Sequence, residues 1–245
     1  MGEDTIILTK KIASILLAGT LLAGLPGGAF AKPEKKVADL AVLGDSLAAG
    51  WTPYGKKGPG YGEFLKARFE QSQYKGDLNN HGFPGYDSSQ LLNDVLTNTD
   101  VIQSIEDAEV IVMDIGANDL LRALSSKNPG VIQGALFGVN ENLNRILKTI
   151  DELNPDVDVY VMGYYNPFPY LQEEQQASLM PLLENLNQTI EKASEDNGDT
   201  YVPTEKIIAK HYEEYLPNPA DIHLSEEGYK IVAKEFWKAI DDNLK

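Results

Sequence analysis

The chain reads as an α/β protein whose central parallel sheet of about five strands is covered by helices on both faces. Two observations predict this. Short apolar, β-branched runs alternate with longer stretches whose apolar residues recur at helical spacing. Beyond residue 32 there is also no repeat, low-complexity tract or long linker to divide the chain. Strands that alternate with helices are joined by right-handed crossovers, which makes the sheet parallel and puts helices on each side of it.

Residues 37–43 form the first expected strand, 62–71 a short helix, 77–80 a weak strand and 87–96 a further helix. Residues 110–115 are the clearest strand. From 131 to 153, Ile132, Leu136, Val139, Leu143, Ile146, Leu147 and Ile150 recur as one helical face. A β-branched strand at 157–162 runs into a loop rich in Tyr, Pro and Phe from Tyr164 to Tyr170. Helices at 178–194 and 225–244 flank a short strand at 200–202.

Ahead of this lies a different composition. Lys10 and Lys11 precede an apolar run from Ile12 to Leu25, and Ala29-Phe30-Ala31 follows. A basic start, a short apolar centre and an A-x-A site describe a secretory signal, and the apolar run is too short to span a bilayer comfortably. Residues 1–31 are therefore expected to be a signal peptide and 32–245 the mature domain, exported and not stably inserted in the membrane. An uncleaved anchor is the alternative. The chain has no cysteine, which excludes a thioether lipid anchor and leaves the exported fold to rest on its core. A net charge of −16 with no Lys/Arg cluster excludes a nucleic-acid partner. None of the three histidines sits in a metal-ligand spacing, so neither metal nor cofactor is expected.

In parallel α/β sheets the reactive crevice lies beyond the carboxyl ends of the strands. Gly44-Asp45-Ser46 follows the first strand, Asn80-His81-Gly82 with Gly85 the second, and Gly116-Ala117-Asn118-Asp119 the third. His223 lies in a loop just before the last helix. A serine hydroxyl is a weak nucleophile until an adjacent base takes its proton, and a neutral imidazole does so near pH 7. A backbone N–H at a glycine turn and an Asn amide are fitting donors to a developing oxyanion. At the start of a helix, Ser46 adds its own N–H and a favourable dipole. A Gly-Asp-Ser tripeptide alone arises by chance in roughly one such chain in twenty, but four elements in order at the expected strand ends do not.

These blocks resemble the GDSL, or SGNH, hydrolases. Gly44-Asp45-Ser46-Leu47 matches the first block letter for letter, and Ala-Asp-Ile-His before Ser-Glu-Glu-Gly-Tyr is similar to the bacterial secreted lipase/acylhydrolase branch. The resemblance implies a flavodoxin-like three-layer α/β/α fold and hydrolysis of small-molecule, lipid or acylated-sugar esters. It also implies an oxyanion hole built from the Ser46 N–H, the Gly82 N–H and the Asn118 side chain. One position departs from the family: the aspartate three residues before the histidine is replaced by Ala220, and Asp221 stands two before it. Asp221 either orients His223 or points to solvent, which would leave a Ser46–His223 dyad.

Several other features have plainer readings. Asp45 and Asp119 fit turn and helix-cap hydrogen bonding as well as catalysis. His81 fits a surface or supporting role, and His211 a solvated one. Ser72 and Lys75 match S-x-x-K without the companion motifs of penicillin-binding proteins. An ordinary α/β-hydrolase would need G-x-S-x-G, and position 48 is alanine. A catalytically silent, exported carbohydrate- or lipid-binding module on the same scaffold is the competing function, since fold does not dictate activity.

Overall fold

A computed structural model of the chain describes residues 36–243; the expected signal at 1–31 and the proposed mature start near Lys32 lie outside the described residues. The elements run β1 (Lys36–Val37), β2 (Leu40–Gly44), α1 (Tyr61–Gln71), β3 (Tyr74–Lys75), β4 (Leu78–Gly82), α2 (Ser88–Thr97), α3 (Thr99–Asp107) and β5 (Val110–Asp114). They continue with α4 (Ala117–Ser125), α5 (Pro129–Leu153), β6 (Asp158–Met162), α6 (Glu173–Asn197), β7 (Thr200–Val202), α7 (Glu205–Ala209), α8 (Tyr212–Tyr215) and α9 (Glu226–Asn243).

The main sheet has five strands in the order β4-β2-β5-β6-β7, and every pairing is parallel. The chain first steps outward from β2 to β4, then returns past β2 to β5 and keeps going. That reversal, between β2 and β5, is the switch point where a doubly wound sheet opens a crevice. Right-handed crossovers put the connections on opposite faces before and after the reversal. Accordingly α1 packs with α9, while α2, α3, α4 and α6 pack against α5. The result is the three-layer α/β/α sandwich. β2 and β5 are buried along their whole length, as expected of strands covered on both faces.

Local sequence explains most boundaries. Asp87 caps α2 by accepting the Gln90 N–H while the Gln90 side chain accepts the Asp87 N–H. Asn128 caps α5 just ahead of Pro129, and Gly198 ends α6 in the left-handed conformation at φ 81°. Three expectations need correction, and two helices add to them. The strand expected at 37–43 is broken: β1 pairs with β3 in a separate two-stranded sheet. At the break, the Asp39 carboxylate accepts the Asp77 N–H at 2.6 Å. The helix expected from 178 begins at Glu173 and runs on through Pro181; at its start the Gln175 side chain accepts the Gln172 N–H at 3.3 Å. α3 and α4 were not anticipated; each is nine residues long, too short to give a sustained period. Finally, Ser46 does not open a helix. Residues 46–50 form a turn closed by the Ala49 N–H on the Asp45 carbonyl at 3.0 Å, and Gly50 at φ 74° ends it.

Among the described residues no helix is long and apolar enough to cross a membrane.

Candidate active site

The Ser46 turn leaves β2 through Gly44, whose φ of 142° lies outside the range L side chains favour. A Cβ there would lie 2.2 Å from the Asp114 carbonyl oxygen of β5, so only glycine lets the two strand ends close up. The Asp45 carboxylate then accepts the Leu47 N–H at 2.9 Å, an Asx-type turn that aims Ser46 into the crevice. This is the hydrogen-bonding role weighed for Asp45 from its position.

Ser46 is 9% exposed, and its Oγ lies 2.9 Å from Nε2 of His223. On the other side of the ring, Nδ1 lies 2.7 Å from Oδ1 of Asp221, an oxygen that also accepts the His223 N–H at 2.9 Å. A carboxylate can only accept, so the Nδ1 atom carries the proton and Nε2 presents its lone pair to the serine. Of the two arrangements left open by the Ala220 departure, the geometry is the one in which Asp221 reaches His223.

The flanking loops are tied down by buried tyrosines. Tyr165 donates to the Ile222 carbonyl at 2.8 Å, next to His223. Tyr229 on α9 donates to the Trp51 carbonyl at 2.6 Å, at the end of the Ser46 turn. Asn218 bridges its loop to the Pro53 carbonyl at 2.9 Å. Burial pushes the pKa of Tyr165 and Tyr229 well above the usual phenol value, so both stay donors across physiological pH.

Asn118 stands in the first turn of α4 and lines the same cavity as Ser46 and His223. One hydrogen of its amide goes to the Tyr86 carbonyl at 2.8 Å, which orients the group and leaves the second free. Asp119 instead links two helices. It accepts the Ser88 N–H at 2.9 Å and the Ser88 hydroxyl at 2.7 Å, and burial raises its pKa.

The Gly82 expectation is corrected. Its N–H donates to Oδ1 of Asn80 at 2.9 Å and so is already engaged. Gly82 is required for another reason: a Cβ there would lie 2.2 Å from the Ala49 nitrogen of the nucleophile turn. Asn80 completes that contact through Nδ2 on the Ala48 carbonyl at 2.8 Å. Gly85, at φ 86°, turns the chain toward Asn118, and Arg122 of α4 holds its carbonyl while pairing with Asp87. Among the described residues, the N–H groups of Ser46 and Gly85 have no protein acceptor. His81 faces away from the crevice chemistry. Its Nε2 donates to the Ser104 hydroxyl at 2.8 Å, since that hydroxyl spends its own proton on the Asp100 carbonyl, and burial lowers its pKa.

Sequence reasoning missed the support beneath Ser46. Asp114, fully buried, accepts from the Tyr61 hydroxyl and from the Asp45 N–H at 3.2 Å. Tyr164 donates to the far oxygen of Asp45 at 2.9 Å. Burial first, then the charge of Asp45, raises the Asp114 pKa well above the carboxylate range. The available signal was one acid in the otherwise apolar strand 110–115. Among the described residues no cluster of His, Cys, Asp or Glu is arranged to hold a metal.

The cavity extends from Ser46 and His223 between α4 and α6, roofed by the loop from Tyr164 to Phe168. A serine poised on an imidazole, beside free amide donors and a hollow, can carry acyl transfer.

Residues 42–231 match the model of the GDSL-like Lipase/Acylhydrolase family. The chain is 28% identical over 210 residues to YpmR of Bacillus subtilis (strain 168), a protein named as uncharacterized, covering 82% of this chain and 80% of that one. Among solved structures it is similar to the lipase Lip_vut3 from a goat rumen metagenome, with TM-score 0.68 and 21% identity over 82% of this chain and 97% of the other. It is also similar to a catalytic mutant of the acetylxylan esterase Axe2 from Geobacillus stearothermophilus, with TM-score 0.65 and 16% identity over 84% and 95%.

Proposed function

As a member of the GDSL-like Lipase/Acylhydrolase family, this chain, we propose, hydrolyses carboxylic acyl esters, with Ser46 as nucleophile, His223 as general base and Asp221 as the acid that orients it. The observation that carries the reading is the continuous relay from Asp221 to His223 to Ser46, at 2.7 and 2.9 Å. Ser46 Oγ attacks the acyl carbonyl carbon and its proton passes to Nε2 of His223. The imidazolium, stabilised by Asp221, then protonates the departing alcohol as the C–O bond breaks. Water, deprotonated by the same nitrogen, cleaves the acyl-serine and frees the acid. The tetrahedral oxyanion is met by the Ser46 N–H and the free hydrogen of the Asn118 amide, with the Gly85 N–H as third donor in place of the engaged Gly82. Export of the mature domain from residue 32, by way of the signal at 1–31, belongs to the same proposal.

The silent-module alternative drew on the missing acid at position 220, whereas the contact between Asp221 and His223 supports the catalytic reading. A fluorophosphonate probe tests the reading. Labelling is expected on Ser46 and should disappear in Ser46→Ala and His223→Ala; a parent protein that stays unlabelled while folded would end the proposal.

A further inference from the structure

We infer that the cavity beside Ser46 receives an apolar fatty-acyl chain, so that the preferred substrates are esters of longer acids and not acetyl esters of sugars. The inference rests on the hydrolase reading above and deepens it. The cavity is open at its mouth and runs from Ser46 and His223 along leucines of α4 and α6. Its two long walls are aliphatic: Leu120, Leu121 and Leu124 on one face of α4, with Leu179, Leu182 and Leu183 opposite on α6.

The polar groups of the wall decide between a lipid and a sugar. A hydroxyl buried without a partner is costly, so a sugar site must offer free donors and acceptors. Here several of them are engaged within the protein. The Tyr164 hydroxyl is bonded to Asp45, and the Tyr165 hydroxyl to the Ile222 carbonyl. Asn166 gives its amide to Gln176 at 2.9 Å and its oxygen to the Phe168 N–H at 2.9 Å. Beyond the Ser46–His223–Asn118 centre, most of the wall is apolar surface. Each methylene that enters such a surface adds about 0.8 kcal/mol of burial, close to fourfold in affinity when fully realised.

The test is a chain-length series of p-nitrophenyl esters, from acetate through butanoate and octanoate to dodecanoate. We expect kcat/KM to rise with length and the octanoate to exceed the acetate by at least about tenfold, a conservative fraction of six methylenes' worth of burial. The half-buried Leu124 and Leu179 supply the second arm. Leu124→Gln with Leu179→Gln should cut the octanoate-to-acetate ratio about tenfold, because each introduces a polar group where the chain lies. If Ser46 labels with fluorophosphonate but acetate is the best ester, the acyl-chain assignment is overturned and the hydrolase reading stands. If no ester is cleaved and Ser46 does not label, both fall. A parent preference for octanoate that survives the double variant unchanged would also overturn the assignment of this cavity.

Discussion

Asp221 and Asp114 are both aspartates held near the nucleophile turn, and they sit in opposite environments. Asp221 lies in the loop before α9 with its side chain 26% exposed, and it meets a histidine. Asp114 ends β5 beneath the turn, is fully buried, and meets a phenol and a second carboxylate. Water and a basic partner suit the first to carrying charge. Burial and the neighbouring carboxylate push the second toward its protonated form, and it serves as a strut joining β5, Tyr61 and the Asp45 turn. Two identical side chains thereby take two roles, and burial and neighbours make the difference.

The largest test of this contrast is Asp221→Asn. An amide in place of the acid can favour the wrong imidazole tautomer, and the expected loss in kcat is on the order of ten-thousandfold with the melting temperature unchanged. Activity within a fewfold of the parent would remove Asp221 from the relay. Asp114 should behave the other way round. Asp114→Ala opens a cavity and strands the Tyr61 hydroxyl, which should lower unfolding stability by about 2–4 kcal/mol in urea melts. Asp114→Asn keeps the volume and one acceptor and should lose about 1 kcal/mol. Were Asp114→Ala to melt like the parent, the strut description would be wrong.

The smallest effect is in the pH dependence. A carboxyl whose folded pKa is raised has its full stabilising effect below the unfolded value, near 3.9. That contribution is lost as pH rises toward the folded pKa, because the unfolded chain releases the proton first. The stability advantage of the parent over Asp114→Asn should therefore shrink from about pH 4 upward, by at most about 1.4 kcal/mol per pH unit. Paired urea melts from pH 4 to 8 read this difference, and an advantage that widened with pH would contradict the raised pKa.

Much of the molecule was legible because its signals are local. Strand and helix periods span a few residues, so the order of the five main strands along the chain and the long helices 131–153 and 225–244 emerge from pattern alone. The same holds for the sites: a strand end names the place where Ser46, Asn118 and His223 should gather, without saying how they touch. The short α3 and α4, and the β1–β3 pair, were not legible, since too few residues repeat to define a period and the β1–β3 pairing joins residues far apart in sequence.

The sequence by itself determined the parallel sheet, the crevice beyond the carboxyl ends of its strands and the kinds of side chain gathered there. Tertiary structure alone decided which of their hydrogen bonds remain open. The Gly82 amide is taken by Asn80 only because β4 lies against the Ser46 turn. Asp221 meets His223 only because Tyr165 and Asn218 hold that loop in place. The Asp114 pKa is raised because the fold buries it and sets Asp45, sixty-nine positions away, beside it. Ser46 and His223, 177 positions apart, meet at 2.9 Å for the same reason. Residue type and spacing set what a group can do, whereas its protonation, orientation and free valences depend on neighbours that only the folded chain brings near.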